Sequence, residues 1–134
     1  MTKDKEWLTE WAKRFYTAAI EFNSAVDECI LTLFFIGDIA KQKLPDWEKR
    51  VEEKRFNFYN IIENVQLAEL FLRTTGEFAP KCKNEVLMHA SKIFSLLTSL
   101  LAHKDADIDE IRQLLFAFNK AAMAAHREIL GKQR

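Results

Sequence analysis

Glycine and proline are scarce in this chain, with three glycines and two prolines among its 134 residues. Because these residues supply most tight turns, their scarcity predicts a few long elements joined by short connections. The three glycines, Gly37, Gly76 and Gly131, stand far apart, which excludes a glycine-rich loop that cradles phosphate. The length fits a single domain over residues 1–134.

The chain also lacks net charge and long apolar runs. Its 20 basic residues equal its 20 acidic residues, so the usual electrostatic argument for nucleic acid or an anionic membrane is absent. The longest apolar stretch, residues 29–37, contains one Thr and is far shorter than the roughly 20 residues of a membrane-spanning helix. The charged N-terminal segment does not resemble a secretory signal. We therefore expect a cytoplasmic protein that binds neither nucleic acid nor membrane.

Cysteine and histidine are too few and too scattered for a metal site. Cys29 and Cys82 form no Cys-x-x-Cys pair, and we expect both thiols to be reduced. None of the three histidines, His89, His103 and His126, lies three residues after a Glu. The Glu-x-x-His ligands of di-metal helical bundles are therefore missing. The sequence therefore predicts no metal and no cofactor.

Catalytic constellations are equally weak. His126 lies seven residues after Asn119, and His89 lies four after Glu85, so each pair can share one flank of a helix. Polar residues at the edge of a core explain both pairs without catalysis, although an enzyme that uses His126 or His89 stays as a third hypothesis. No nucleophile elbow or oxyanion-forming loop is present. We predict that the protein is not an enzyme.

The apolar residues recur every three or four positions, which is the period of an amphipathic helix. This pattern predicts four helices, at about residues 4–44, 46–74, 80–103 and 108–130. Pro45 is expected in the first turn of the second helix, Gly76 at the end of that helix, and Asp107 with Glu110 in a capping box that begins the fourth. Short connections between sequential helices predict an all-α, antiparallel, up-down-up-down four-helix bundle.

The predicted first helix is too long for this bundle. At 1.5 Å per residue it would span about 60 Å, whereas the third and fourth helices would each span about 35 Å. Either the first helix bends near Asn23 and folds residues 4–21 against its own bundle, or it stays straight and packs on a second copy. We favour the straight helix, with the surplus near residues 4–15.

These considerations predict a function in binding. The first hypothesis is a non-enzymatic interaction or regulatory module, a homodimer that assembles through the first helix. Its predicted interface residues are aromatic: Trp7, Trp11, Phe15, Phe34 and Phe35. The alternative is a bundle that binds a small apolar molecule among its phenylalanines and the alanine-rich stretch at residues 120–125.

Overall fold

A computed structural model of the chain describes residues 2–101 and 108–131, in which it contains four α-helices and no strand. The helices are α1 (Thr2–Gln42), α2 (Trp47–Thr75), α3 (Lys83–Leu101) and α4 (Ile108–Gly131), with a short 3-10 helix at Gly76–Phe78 after α2. The prediction of an all-α four-helix bundle is confirmed. The predicted third-helix end at His103 and the predicted cap at Asp107 lie outside the described residues.

Contacts between α1 and α4 fix their relative direction. The rings of Phe22 and Phe118 lie 4.5 Å apart, and Asn119 donates a 3.1 Å hydrogen bond to Asn23. Further along α1, the guanidinium of Arg112 lies 5.4 Å from the ring of Phe34. Because residues later in α1 meet residues earlier in α4, the two helices are antiparallel. Helix α2 packs on the other side of α1, and α3 packs between α2 and α4.

The core follows the apolar period that the sequence shows. Each helix buries one residue about every three or four positions, and the largest fully buried side chains include Phe22, Phe58, Leu72, Ile93 and Phe118. On α4, three alanines, Ala121, Ala122 and Ala125, are buried, so their small side chains fill tight space within the bundle. The alanine-rich stretch is therefore packed against the chain's own helices at these three positions.

Helix α1 is continuous through Asn23. Its residues 8–19 bury side chains against the chain's own bundle, as the first of the two alternatives predicted. The amide group of Asn23 accepts a hydrogen bond from Asn119 at the α1–α4 contact, and this bond satisfies a side chain that would otherwise compete with the helix backbone. The 41 residues of α1 correspond to about 60 Å of helix.

The surplus length of α1 is not where the sequence analysis located it. Leu8, Ala12 and Phe15 are all buried within the chain, and the turn after α2 contacts the Phe15 ring. The least covered segment is instead the α1–α2 hairpin, because no residue from 40 to 57 is buried. Helix α2, with 29 residues, is also longer than α3 and α4, and its first turns accompany the end of α1.

The turn before α2 departs from the predicted capping, whereas the turn after α2 agrees with it. Pro45 lies in the turn and not in the helix, because α2 begins at Trp47 after Asp46 adopts a left-handed φ of 64°. Gly76 does end α2 as predicted, but its φ of −80° is not left-handed. The chain continues from Gly76 into the 3-10 helix, so the turn does not use the conformational freedom of glycine.

Glu128 joins the end of α4 to the start of α3. Its carboxylate accepts hydrogen bonds from the backbone amides of Lys81, at 3.1 Å, and Cys82, at 2.9 Å. These amides precede the first turn of α3, where backbone donors have no partner within the helix. A carboxylate at this position also interacts favourably with the helix dipole, so Glu128 fixes the α3–α4 contact.

Candidate interaction surface

The five aromatic residues predicted as an interface lie in three different environments. Trp7 is 52% exposed and meets the half-buried Trp11 edge to face, with ring centroids 5.9 Å apart. Phe34 and Phe35 are exposed by 46% and 55%, respectively. Phe15 is only 1% exposed and contributes to the core. The structure therefore brings these residues to no single patch.

Phe15 must be withdrawn from the predicted interface. Its ring lies 3.5 Å from the position that a Cβ atom would take on Gly76, so the turn after α2 covers it. A side chain that is buried within its own chain offers no surface to a partner. Phe15 was predicted to lie on a part of α1 that extends beyond the bundle, but in the structure this part of α1 is covered.

The exposed side of α1 carries a second regular row of residues, which we call the outer stripe. Its positions are separated alternately by four and three residues, the spacing of a helix seam, and all of them are exposed. The outer stripe consists of Lys13, Thr17, Ile20, Ser24, Asp27, Leu31, Phe34, Asp38 and Lys41. It lies opposite the buried stripe of the same helix.

The outer stripe carries three large apolar residues, which Ser24 and Asp27 interrupt at the centre, and it has charged ends. Ile20 and Leu31 are exposed by 52% and 57%, and Phe34 by 46%. Ile20 and Leu31 were not predicted from the sequence, because the buried stripe of α1 gives the stronger apolar period. The same alternation of three and four residues on the opposite face was the signal that would have revealed them.

Helix α4 extends this apolar surface. Phe116 is 71% exposed and Met123 is 53% exposed. Since Phe22 meets Phe118 and Asn23 meets Asn119 across the antiparallel pair, Phe116 lies alongside residues 25–26 of α1. Exposed apolar side chains therefore lie on both helices of the α1–α4 pair.

Two cations lie over aromatic rings at the edges of this surface. The guanidinium of Arg112 lies 5.4 Å from the Phe34 ring centre, and the ammonium of Lys54 lies 5.6 Å from that of Phe35. Each contact is a cation–π interaction, which fixes the ring while leaving about half of it accessible. An aromatic side chain whose orientation is already fixed loses less conformational entropy on binding than one that rotates freely.

A second exposed apolar face lies on the outer side of α2. Tyr59, Leu67 and Leu70 are each at least half exposed there, and Phe56 is 67% exposed. The carboxylate of Glu63 interrupts this row, as that of Asp27 interrupts the outer stripe. The α2 face is therefore a matched comparison surface for the outer stripe.

The polar groups considered for catalysis make contacts with other side chains of the same chain. Asn119 donates to Asn23, and the ring of His126 lies 5.2 Å from that of Tyr16. Partial burial lowers the pKa of His126, which favours its neutral form. His89 lies 3.7 Å from Glu85 within one face of α3. In residues 2–101 and 108–131, no three His, Cys, Asp or Glu side chains are grouped to hold a metal ion.

Neither cysteine forms a disulfide. Cys29 is buried in the core, and burial, with the nearby Glu28 carboxylate, raises the pKa of its thiol to about 12. Partial burial and the adjacent Glu128 also raise the pKa of Cys82. Both thiols therefore stay protonated and weakly nucleophilic at neutral pH.

Two open clefts follow the α1–α2 contact. The larger has a volume of about 410 Å³ and is lined by Trp11, Ala18, Phe71 and the end of α2, among others. The smaller has a volume of about 280 Å³ and continues along the groove past Ala25 and Ala68. Small residues on both helices leave this space, since an alanine fills less of a groove than a larger side chain.

Comparison of the chain with protein-family models, with curated protein sequences and with solved structures finds no match. Among the helices of the described residues, none combines the length and the apolar character that crossing a bilayer requires. The residues themselves therefore carry the functional argument.

Proposed function

We propose that this protein is a non-enzymatic interaction module that self-associates as a homodimer through the outer stripe of α1. The observation that carries the proposal is the exposure of Ile20, Leu31 and Phe34 in one regular row on the side of α1 that faces away from the core. Contiguous exposed apolar side chains with polar residues around them are typical of protein interaction sites. A second copy would cover them.

The exposed aromatic residues strengthen this proposal. Phe34 on α1 and Phe116 on α4 supply large apolar area, and aromatic anchors of this kind carry much of the energy of protein interfaces. Trp7 and Phe35 lie outside the outer stripe and are proposed as flanking contacts of the same dimer. Trp11, which is half-buried against Trp7, supports the orientation of that ring.

The test compares two matched leucine substitutions. Leu31 on the outer stripe and Leu70 on α2 are exposed by 57% and 56%, so replacement of either by Asp changes the folded monomer similarly. We expect Leu31→Asp to raise the dimer dissociation constant by about a hundredfold or more, since each dimer would bury two carboxylates in an apolar contact. Leu70→Asp should leave it nearly unchanged.

Sedimentation velocity over a range of concentrations measures both variants, with circular dichroism to check that each is folded. A wild-type chain that remains monomeric at every concentration would refute self-association. A dimer weakened equally by both substitutions would refute the assignment to α1.

We further propose that the protein resides in the cytoplasm, and the support is its two free thiols. Cys29 and Cys82 form no bridge, and unpaired cysteines are usual where the compartment is reducing. Fractionation of source cells, with detection by an antibody, would test the location. Recovery of the protein from an oxidising compartment would contradict it.

A small apolar ligand is the second candidate function. The cleft beside Trp11 and Phe71 has a volume within the range of ligand sites, about 300–1,000 Å³. The exposed Thr74 lines this cleft, so Thr74→Trp should fill it. If the cleft binds apolar molecules, the fluorescence of 1-anilinonaphthalene-8-sulfonate should rise with the wild-type protein and much less with the variant. Equal signals from the two proteins would exclude this cleft.

A further inference from the structure

We propose that two copies pair through the outer stripes of antiparallel α1 helices. The two-fold axis crosses the outer stripe between Ser24 and Asp27, at the level of residues 25–26. This inference rests on the proposed self-association and adds its direction and register. The outer stripe has polar Ser24 and Asp27 at its centre, apolar Ile20 and Leu31 on either side, and opposite charges further out at Lys13 and Asp38. Such a pattern matches a reversed copy of itself.

Charge complementarity selects the direction. With the axis near residues 25–26, Lys13 of one copy lies opposite Asp38 of the other, and the symmetry repeats this pair. A parallel pairing in register would instead set like charges together at four positions, because Lys13, Asp27, Asp38 and Lys41 would each face their own copy. Like charges at an interface disfavour association, so the antiparallel arrangement is preferred.

Charge also selects the register. If the axis passed through Asp27, this carboxylate would face its own copy, and Lys13 would face the partner's Lys41. Moving the axis by about half a turn, to residues 25–26, removes both repulsions. It also sets Ser24 opposite the partner's Asp27, where the hydroxyl can donate a hydrogen bond to the carboxylate.

The apolar residues fit the same register. Ile20 lies opposite the partner's Leu31, and this contact also occurs twice because of the symmetry. Both side chains are more than half exposed in the single chain, at 52% and 57%. From Lys13 to Asp38 the paired segment would extend over about 38 Å of helix.

Phe116 supplies an observation that is independent of α1. A two-fold axis perpendicular to antiparallel helices keeps α4 of each copy on the same side of the pair. Phe116 lies alongside residues 25–26, and it is the most exposed large apolar side chain in the described part of the chain, at 71%. The proposed axis therefore places the two Phe116 rings on the same side of the α1 pair, both at the level of its centre.

Charge reversal tests this pairing. We expect Lys13→Glu and Asp38→Lys each to raise the dimer dissociation constant about tenfold or more at low ionic strength, because each replaces two attractive pairs by two repulsive ones. The double variant should return to within about twofold of the wild type. An equal mixture of the two single variants should also associate tightly, since both of its cross-pairs are attractive.

The controls carry the same charge changes elsewhere. Lys92→Glu on α3 and Glu63→Lys on α2 alter exposed residues away from α1 and should leave the constant nearly unchanged. All four substituted side chains are exposed, so the variants should fold, and circular dichroism checks this.

The outcomes separate the two proposals. A wild-type monomer would overturn both self-association and this pairing. A dimer in which the Lys13 and Asp38 variants behave like the controls would overturn the pairing alone, as would single variants that weaken the dimer without recovery in the double variant.

Discussion

Replacing Phe15 by Ala tests whether this residue belongs to the core, as the structure has it, or to an interface, as its position near two tryptophans first indicated. The ring is 1% exposed, and burial of a phenylalanine side chain contributes about 1.5–3 kcal/mol relative to exposure. The variant also leaves a cavity between α1 and the turn at Gly76. Together these effects predict a loss of about 3–5 kcal/mol in the free energy of unfolding.

Urea unfolding followed by tryptophan fluorescence measures this loss. The experiment is best made in a Leu31→Asp background, so that dissociation of the dimer does not contribute to apparent stability. With a urea dependence of about 1–3 kcal/mol per molar, the midpoint should fall by about 2 M. The predicted loss of about 3–5 kcal/mol is a large part of the free energy of unfolding of a typical domain, which is about 5–15 kcal/mol.

Phe116→Ala is the matched control, since the same atoms are removed from a ring that is 71% exposed. It should cost less than about 1 kcal/mol in the same background. If Phe15→Ala were as mild as Phe116→Ala, Phe15 would not be a core residue, and the packing described for the first turns of α1 would be wrong.

Two further predictions concern ionisable groups. At about pH 8 an alkylating reagent should modify at most one thiol per folded chain, Cys82, because the pKa of Cys29 is raised to about 12 and its side chain is buried; modification of Cys29 before unfolding would contradict the core. Burial lowers the pKa of His126 below its ordinary value of about 6.5, so the unfolded chain binds the proton more readily, and this residue should reduce stability as pH falls from about 7 through the folded pKa. Proton NMR titration measures that pKa, and a value at or above 6.5 would refute the effect.

Sequence reasoning was strongest where a long apolar period decided the structure. The four helices and the buried stripe of α1 follow from apolar residues spaced three and four positions apart, and Gly76 ends α2 as expected. Asn23 is a weak helix residue in the sequence, yet the helix continues through it, and a partner 96 positions later, Asn119, satisfies its side chain. A contact of this kind depends on the tertiary arrangement, which single-sequence patterns do not contain.

The candidate surface was only partly predictable. Phe34 and Phe35 were expected to be accessible and are exposed, whereas Phe15 was placed outside the core because helix lengths were compared without knowing their register. The turn at Gly76 covers Phe15, and it is the register of α1 against α2 and α4 that determines this cover. Ile20 and Leu31 were overlooked because a second stripe has meaning only after the first is known to face inward.

The most direct test of assembly through α1 is the distance between two spin labels at position 10, introduced as Glu10→Cys with Cys82→Ser. Cys29 is buried and should stay unlabelled in the folded protein. In an antiparallel pair centred near residues 25–26, positions 10 of the two copies are separated by about 31 residues of helix, or about 47 Å. Dipolar spectroscopy should give a distance near that value. Absence of any coupling would contradict self-association, and a distance below about 25 Å would show that the helices do not pair in this direction and register.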